Sequence, residues 1–352
     1  MQRRLKFEKT ANLGMNTLVE LITTKGKSMK HFLMVLLTLL SQMPIGSAMA
    51  QVKAPANDEF RVTLLGTGSP APVMRRFGPG VLVQAGGKNL LIDSGRGTTQ
   101  RLMQSGLKLG QVDALILTHL HSDHVIGIPD LWLTGWLEAN YAQRKGPFVV
   151  YGPKGTQALM DGLAIAYDWD IKARIADQNL KPESIQSKVT EIDEGVIYEQ
   201  GGVKVVAFKV DHGELLQPAF GYRIDYAGRS VTISGDTRFS ENLIKFATGT
   251  DILIHQVAAA REDLLKSPVF QVILAHHTQP HEAGIVFTRV KPKLAVYYHF
   301  VLLGIPGIPA VTEKEVFEMT RKTYDGPLLI GEDLMAFRLD AEAVVPLATR
   351  SQ

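Results

Sequence analysis

The stretch Ala114–His124, ALILTHLHSDH, limits the folds open to this chain, because it sets three histidines and an aspartate within six positions directly behind an apolar run. Side chains of an extended backbone alternate with period two, so His119 and His121 share one face and can converge on one ion. Asp123 and His124 belong to the turn and the start of a following helix, from which they can face a second ion. A single histidine at a strand end ordinarily forms only a hydrogen bond. Four such residues at this spacing mark a metal site. Two ions need more ligands than four, so the fold must deliver other segments to the same edge.

Those segments are visible. Apolar, strand-like runs alternate with turn signals: FRVTLLG, VLVQAGG, KNLLIDSG, DALILTHL and PFVVYGP in the first half, then VKVVAFKVDH, FGYRIDYAG, RSVTISGDT, DILIHQVA and LAVYYHF. Amphipathic helical stretches fall between them at Thr98–Ser105, Ile128–Tyr141 and Gly155–Tyr167. Several later runs also end on ligand-type residues: His212, Asp236 in ISGDT, and His299. An α/β architecture builds its sites at strand ends. No fixed-period repeat or long Pro/Gly linker divides the chain, so the expectation is one α/β domain over residues 51–352.

The N-terminal part has a different character. Residues 1–28 are polar. From Met29 the pattern is MKHFLMVLLTLLSQMPIGSAMA, with a basic start, the apolar run Phe32–Leu40 and the small-x-small Ala48-Met49-Ala50. That pattern predicts a signal peptide over 29–50 and a periplasmic or secreted protein. The apolar run is far shorter than the ~20 residues that cross a bilayer, so no stable membrane span is expected in the mature form. Residues 1–50 hold seven of the 38 basic and two of the 35 acidic side chains, which leaves 31 and 33. The sequence pI near 8.9 is thus largely the leader's. A slightly acidic mature chain has no general electrostatic pull on nucleic acid. Cysteine is absent, which excludes disulfides and thiolate ligands and leaves imidazole and carboxylate for any metal.

The order HLHSDH, then His212, then GDT, then His299, with LLGTGSP and LLIDSG upstream, resembles the metallo-β-lactamase superfamily and most closely its ribonuclease-Z-like branch, over roughly residues 60–339. The resemblance implies an αββα sandwich with metals at one edge between two sheets. It also implies one zinc on His119, His121 and His212, a second on Asp123, His124 and His299, and Asp236 bridging. Manganese or iron also suits such ligands. A hydroxide shared by the two ions would attack an electrophilic centre, with Asp123 among the catalytic residues.

Around this centre the resemblance gives His277-Thr278 the place of a proton-donating pair, with His277 as general acid. His276 and His281 are expected as helix-cap or surface residues. Asp93 either orients a ligand histidine or caps its Gly-rich turn. Trp132 and Trp136, four apart, are expected in the core or as a rim against the substrate, with Tyr167–Trp169 adding to the same wall. Two departures bear on substrate. Only 24 positions separate His212 from Asp236, too few for the RNA-gripping arm of transfer-RNA-maturing relatives. The branch's His-Glu-Ala-Thr loop reads His255-Gln256-Val257-Ala258, and Gln256 cannot supply the glutamate's charge to His277.

These features predict an exported binuclear zinc hydrolase acting on a small-molecule ester (phosphodiester, sulfate ester or lactone), argue against transfer RNA as substrate, and leave homo-oligomerisation open. The alternatives are a β-lactam hydrolase and a non-catalytic zinc-binding protein.

Overall fold

The computed structural model describes residues 59–348, which belong to one compact unit. The expected signal peptide and the extension before it lie outside the described residues. The strands are β1 Arg61–Gly66, β2 Gly80–Ala85, β3 Lys88–Ile92, β4 Ala114–Ile116, β5 Phe148–Gly152, β6 Ser187–Glu191, β7 Gly195–Gln200 and β8 Val203–Val210. They continue with β9 Ala219–Tyr226, β10 Arg229–Ile233, β11 Ile252–Ala259, β12 Leu294–Leu302, β13 Leu328–Ile330, β14 Ala336–Leu339 and β15 Val344–Leu347. The helices are α1 Thr98–Ser105, α2 Ser122–Val125, α3 Ile128–Trp136, α4 Thr156–Ala166, α5 Asp168–Gln178 and α6 Pro182–Ile185, then α7 Glu241–Ala247, α8 Pro268–Ala275, α9 Pro280–Val290 and α10 Glu313–Thr320.

The strands form two mixed sheets, ordered β15-β14-β1-β2-β3-β4-β5-β6 and β13-β12-β11-β10-β9-β8-β7. Period-two alternation decides what each face meets. From β1, Val62 and Leu64 point between the sheets, into a core shared with Phe220, Tyr222, Val231, Ile254 and Tyr298 of the other sheet. Leu65, from the same strand, points outward to Leu102, Leu131 and Met160 of α1, α3 and α4. On the far side Leu253, Ala295 and Tyr297 meet Leu243 of α7, Phe287 of α9 and Val316 of α10. Helix, sheet, sheet, helix is the αββα sandwich. The β3-β4-β5-β6 and β10-β11-β12-β13 runs are parallel, so many loops that follow strands gather at one edge. No helix among the described residues is long and apolar enough to cross a membrane.

The chain leaves the regular dihedral regions just after β3 and β10 and at a bulge inside β12: Asp93 has φ 60, Gly235 φ 60 and His299 φ 44. At Gly235 a Cβ would lie 2.4 Å from the Phe220 carbonyl oxygen, so only glycine fits the turn that carries Asp236.

α3 is shorter than its sequence pattern. It ends at Trp136, where Leu137 turns extended, because the amides of Gln143 and Arg144 bond the carbonyls of Leu137 and Gly135 at 2.9 Å and fold the chain back. The substrate-rim reading of Trp132 and Trp136 is corrected here. Both are 2% exposed inside the outer helix–sheet core, and their indoles donate to the carbonyls of Ile185 and Lys181 at 2.8 and 3.1 Å. Trp169, 82% exposed on α5, builds no common wall with them. Trp132→Phe is therefore expected to lower the denaturant midpoint, through a cavity and a lost hydrogen bond, while leaving KM unchanged. A raised KM at unchanged stability would return Trp132 to the substrate.

Candidate metal centre

Five segments deliver the ligand-type side chains. His119 and His121 follow β4, with His121 extended as the N-cap of α2, and Asp123 and His124 sit on that helix. His212 follows β8, Asp236 follows β10, and His299 lies within β12. All but His121 are buried; that ring is half-exposed and marks the open side.

Four triads have ligand atoms within 4.8 Å of one another: His119, His121 and His212; His119, His124 and Asp236; Asp123, His124 and His299; and His212, Asp236 and His277. The ring nitrogens that meet do so at hydrogen-bond distance. His119 Nε2 is 3.0 Å and His212 Nε2 3.2 Å from His121 Nδ1, and His124 Nε2 is 3.2 Å from His299 Nε2. Asp236 Oδ2 stands between the two groups, 3.5 Å from His124 Nε2, 3.8 Å from His212 Nε2 and 3.3 Å from His299 Nε2.

Hydrogen bonds on the far side of the rings fix which nitrogen carries the proton. His124 Nδ1 donates to Asp93 Oδ2 at 2.8 Å, and His212 Nδ1 donates to the His276 carbonyl at 2.9 Å. The Thr118 hydroxyl donates to Asp93 Oδ2 at 2.8 Å, so its oxygen accepts from His119 Nδ1 at 3.0 Å. Each of these rings therefore turns a bare Nε2 lone pair inward. Facing lone pairs repel unless a cation sits between them. Asp236 Oδ1, buried without a hydrogen-bond partner among the described residues, completes a donor set that fits metal ions.

The electrostatics of the cluster point the same way. Burial and the neighbouring His124 charge hold His119 well below the usual imidazole range. Burial opposes charge at His124 too, but the Asp236 and Asp93 carboxylates outweigh it and raise that ring well above its ordinary value. Burial works against ionised Asp236 as well, yet His299 and His124 keep the carboxyl well below the normal range.

The expected neighbours are placed as follows. Asp93 bonds the Thr118 amide and hydroxyl and His124, so its side chain supports ligands and does not cap a helix. His277 lies with Nδ1 2.9 Å from Gln256 Oε1 and 4.0 Å from Asp236 Oδ2, and Gln256 is held in turn by Nε2 donating to the Thr237 carbonyl at 2.6 Å. Burial presses the His277 ring down to about 3. Thr278 is buried and also donates to the Thr237 carbonyl, at 2.8 Å. His276 is the C-cap of α8, and His281 is exposed in the first turn of α9. His255 points away from the cluster, its ring against Phe287, 5.6 Å between centroids.

Thr118 escaped the sequence reading. Its signal was its place between an apolar strand and the first ligand, where a hydroxyl has little reason to be buried without a task. Thr118→Val keeps the shape and removes the bond to His119, and is expected to weaken metal affinity ~10–100-fold. An unchanged binding isotherm would make the hydroxyl a bystander.

The geometry has counterparts among known proteins. A family model described as "Anti-Pycsar protein Apyc1" matches residues 60–266. The ribonuclease Z of Mycolicibacterium gilvum (strain PYR-GCK) is 35% identical over 278 residues, covering 78% of this chain and 94% of that protein. Among solved structures, the metallo-β-lactamase fold protein YhfI of Bacillus subtilis superposes with TM-score 0.61 at 17% identity, over 80% of this chain and all of that one. Zn(2+)-bound PqqB of Methylobacterium extorquens superposes with TM-score 0.55 at 15% identity, over 80% of this chain and 99% of that one. The chain belongs to the family that model describes and, with its ribonuclease Z relatives, to the ribonuclease-Z-like branch of the metallo-β-lactamase superfamily, and it is a metal-dependent hydrolase.

Proposed function

We propose that the protein is an exported, periplasmic or secreted, binuclear zinc hydrolase that cleaves a small ester: a phosphodiester, a sulfate ester or a lactone. In this reading His119, His121 and His212 hold one ion, Asp123, His124 and His299 the other, and Asp236 serves both. The observation that carries it is the position of Asp236 Oδ2, within 3.3–3.8 Å of Nε2 atoms from both groups. When bound, such a pair of ions supplies an activated water and stabilises the negative charge that develops on the substrate. The chain's own residues do the rest. Asp93 and Thr118 hold the ligand rings in register, and burial excludes bulk water. His277, beside Asp236, is placed to manage the proton of the leaving group.

One feature supports a small substrate. The chain from His212 to Asp236 is a short turn and the β9–β10 hairpin, with no projecting arm. A second reading, RNA cleavage, is favoured by the relative named ribonuclease Z at 35% identity. Zinc-loaded protein should turn over bis-aryl phosphate, aryl sulfate or lactone substrates and leave precursor transfer RNA intact. Processing of the RNA without turnover of the small esters would reverse the assignment.

A further inference from the structure

We propose that Arg76 and Asp333 are positioning residues for the metal centre, holding the β12 bulge that presents His299. The inference rests on reading His299 as a ligand. It starts from a difference among the rings. His119, His124 and His212 each tie Nδ1 to an acceptor, whereas His299 Nδ1 is buried with no hydrogen-bond partner among the described residues. Its Nε2 meets Asp123 Oδ2 and His124 Nε2, each at 3.2 Å, but no bond on the far side of the ring fixes its aim, so the backbone must.

That backbone is unusual. β12 pairs Tyr298 with Gln256 and then Phe300 with Val257, which leaves His299 as the extra residue of a bulge at φ 44. A bulge re-aims a side chain, and a left-handed non-glycine residue persists only where its surroundings over-determine it. The anchor is the next residue. The Phe300 amide donates to the Thr67 carbonyl at 3.1 Å, and the Arg76 guanidinium lies 4.3 Å from the centroid of the Phe300 ring.

Both contacts belong to one buried network. Asp333 Oδ1 accepts from the Thr67 amide at 2.9 Å and its hydroxyl at 2.7 Å, while Oδ2 accepts from the Phe77 amide at 2.8 Å and from Arg101 at 3.0 Å. Arg76 Nη1 donates to the Thr67 hydroxyl oxygen and to the Gly331 carbonyl, and its Nε donates to Glu313 at 2.9 Å. The Arg76 and Asp333 side chains are each 5% exposed. Charges are buried this deeply only when paired and hydrogen-bonded, and the pairing allows one placement of the segments that carry them. The segments locked together are the 67–77 loop, the turn after β13 and Phe300. Neither charged residue touches a ligand.

The test is calorimetric titration of chelator-stripped protein with Zn²⁺. Wild-type protein should take up two ions. Arg76→Met and Asp333→Asn should each weaken one of the two binding steps ~10–100-fold and leave the other unchanged. Arg76→Lys keeps the charge but loses the planar fork, and should weaken the same step by less. Phe300→Tyr should bind like wild type, and Phe300→Leu like Arg76→Met. Arg144→Met serves as the control: Arg144 is buried among carbonyls of Trp132 and Ser184, so its loss should lower the melting temperature with both steps intact. If Arg76→Met and Asp333→Asn behave like that control, the positioning role is overturned and the reading of the centre stands. Fewer than two ions on wild-type protein would overturn both.

Discussion

Asp236→Ala is expected to empty the whole centre, where the loss of any other single ligand empties half of it. Among the described residues Asp236 is the one carboxylate with an oxygen facing rings of both groups, and it is 2% exposed. Its removal deletes the buried negative charge that faces the converging rings of both groups. Breaking a buried, hydrogen-bonded charge cluster costs about 3–5 kcal/mol, roughly 10²–10⁴ in an equilibrium constant at 1.4 kcal/mol per tenfold. Both metal-binding steps should weaken together by about that factor and activity should vanish at ordinary metal concentration. His121→Ala, on the open side, should weaken one step only. Metal titrations of the two variants decide the matter, and a single weakened step in Asp236→Ala would remove Asp236 from its shared position.

His277 carries the second large effect. Burial keeps its ring down to about 3, and the Gln256 amide, oriented by its bond to the Thr237 carbonyl, accepts the Nδ1 proton. The neutral ring therefore dominates near neutral pH, and its charged, proton-donating form grows as pH falls. His277→Ala is expected to slow esters with poor, high-pKa leaving groups by ~10²–10⁴, most at the acid end of the range, and to leave nitrophenolate esters nearly untouched. Gln256→Glu puts a carboxylate where the amide stands and raises the His277 pKa. A general acid acts while protonated and is lost as pH rises through its pKa. Raising that pKa therefore moves the alkaline limb for poor leaving groups to higher pH. Equal losses for good and poor leaving groups in His277→Ala, with an unmoved profile in Gln256→Glu, would reduce His277 to a wall of the site.

Most of the sandwich was legible because its strands carry the period-two signal and its site segments end on residues with little other reason to be there. The helix at Thr98–Ser105 matches its sequence pattern, and the αββα layering follows the family resemblance. What escaped is what depends on contacts distant in sequence. Asp333 lies in a polar turn with no local pattern around it, and its partners Thr67 and Phe77 are 266 and 256 positions away. The aromatic pair on α3 could be read either way until the segment at Lys181–Ile185 supplied acceptors for both indoles. The left-handed turns at Asp93 and His299 have no sequence mark, because neither residue is glycine. The aim of the ligands is set there.

The central claim is that a single buried carboxylate joins two metal sites into one hydrolytic centre. The most direct measurement is metal content and turnover of bis(p-nitrophenyl) phosphate on the same samples, as chelator-stripped protein beginning at Gln51 is titrated with Zn²⁺. The account predicts uptake of two ions per chain and turnover that is abolished by stripping and restored in full only as the second ion binds. Saturation at one ion with full activity, or two bound ions with no hydrolysis of any ester, would contradict it.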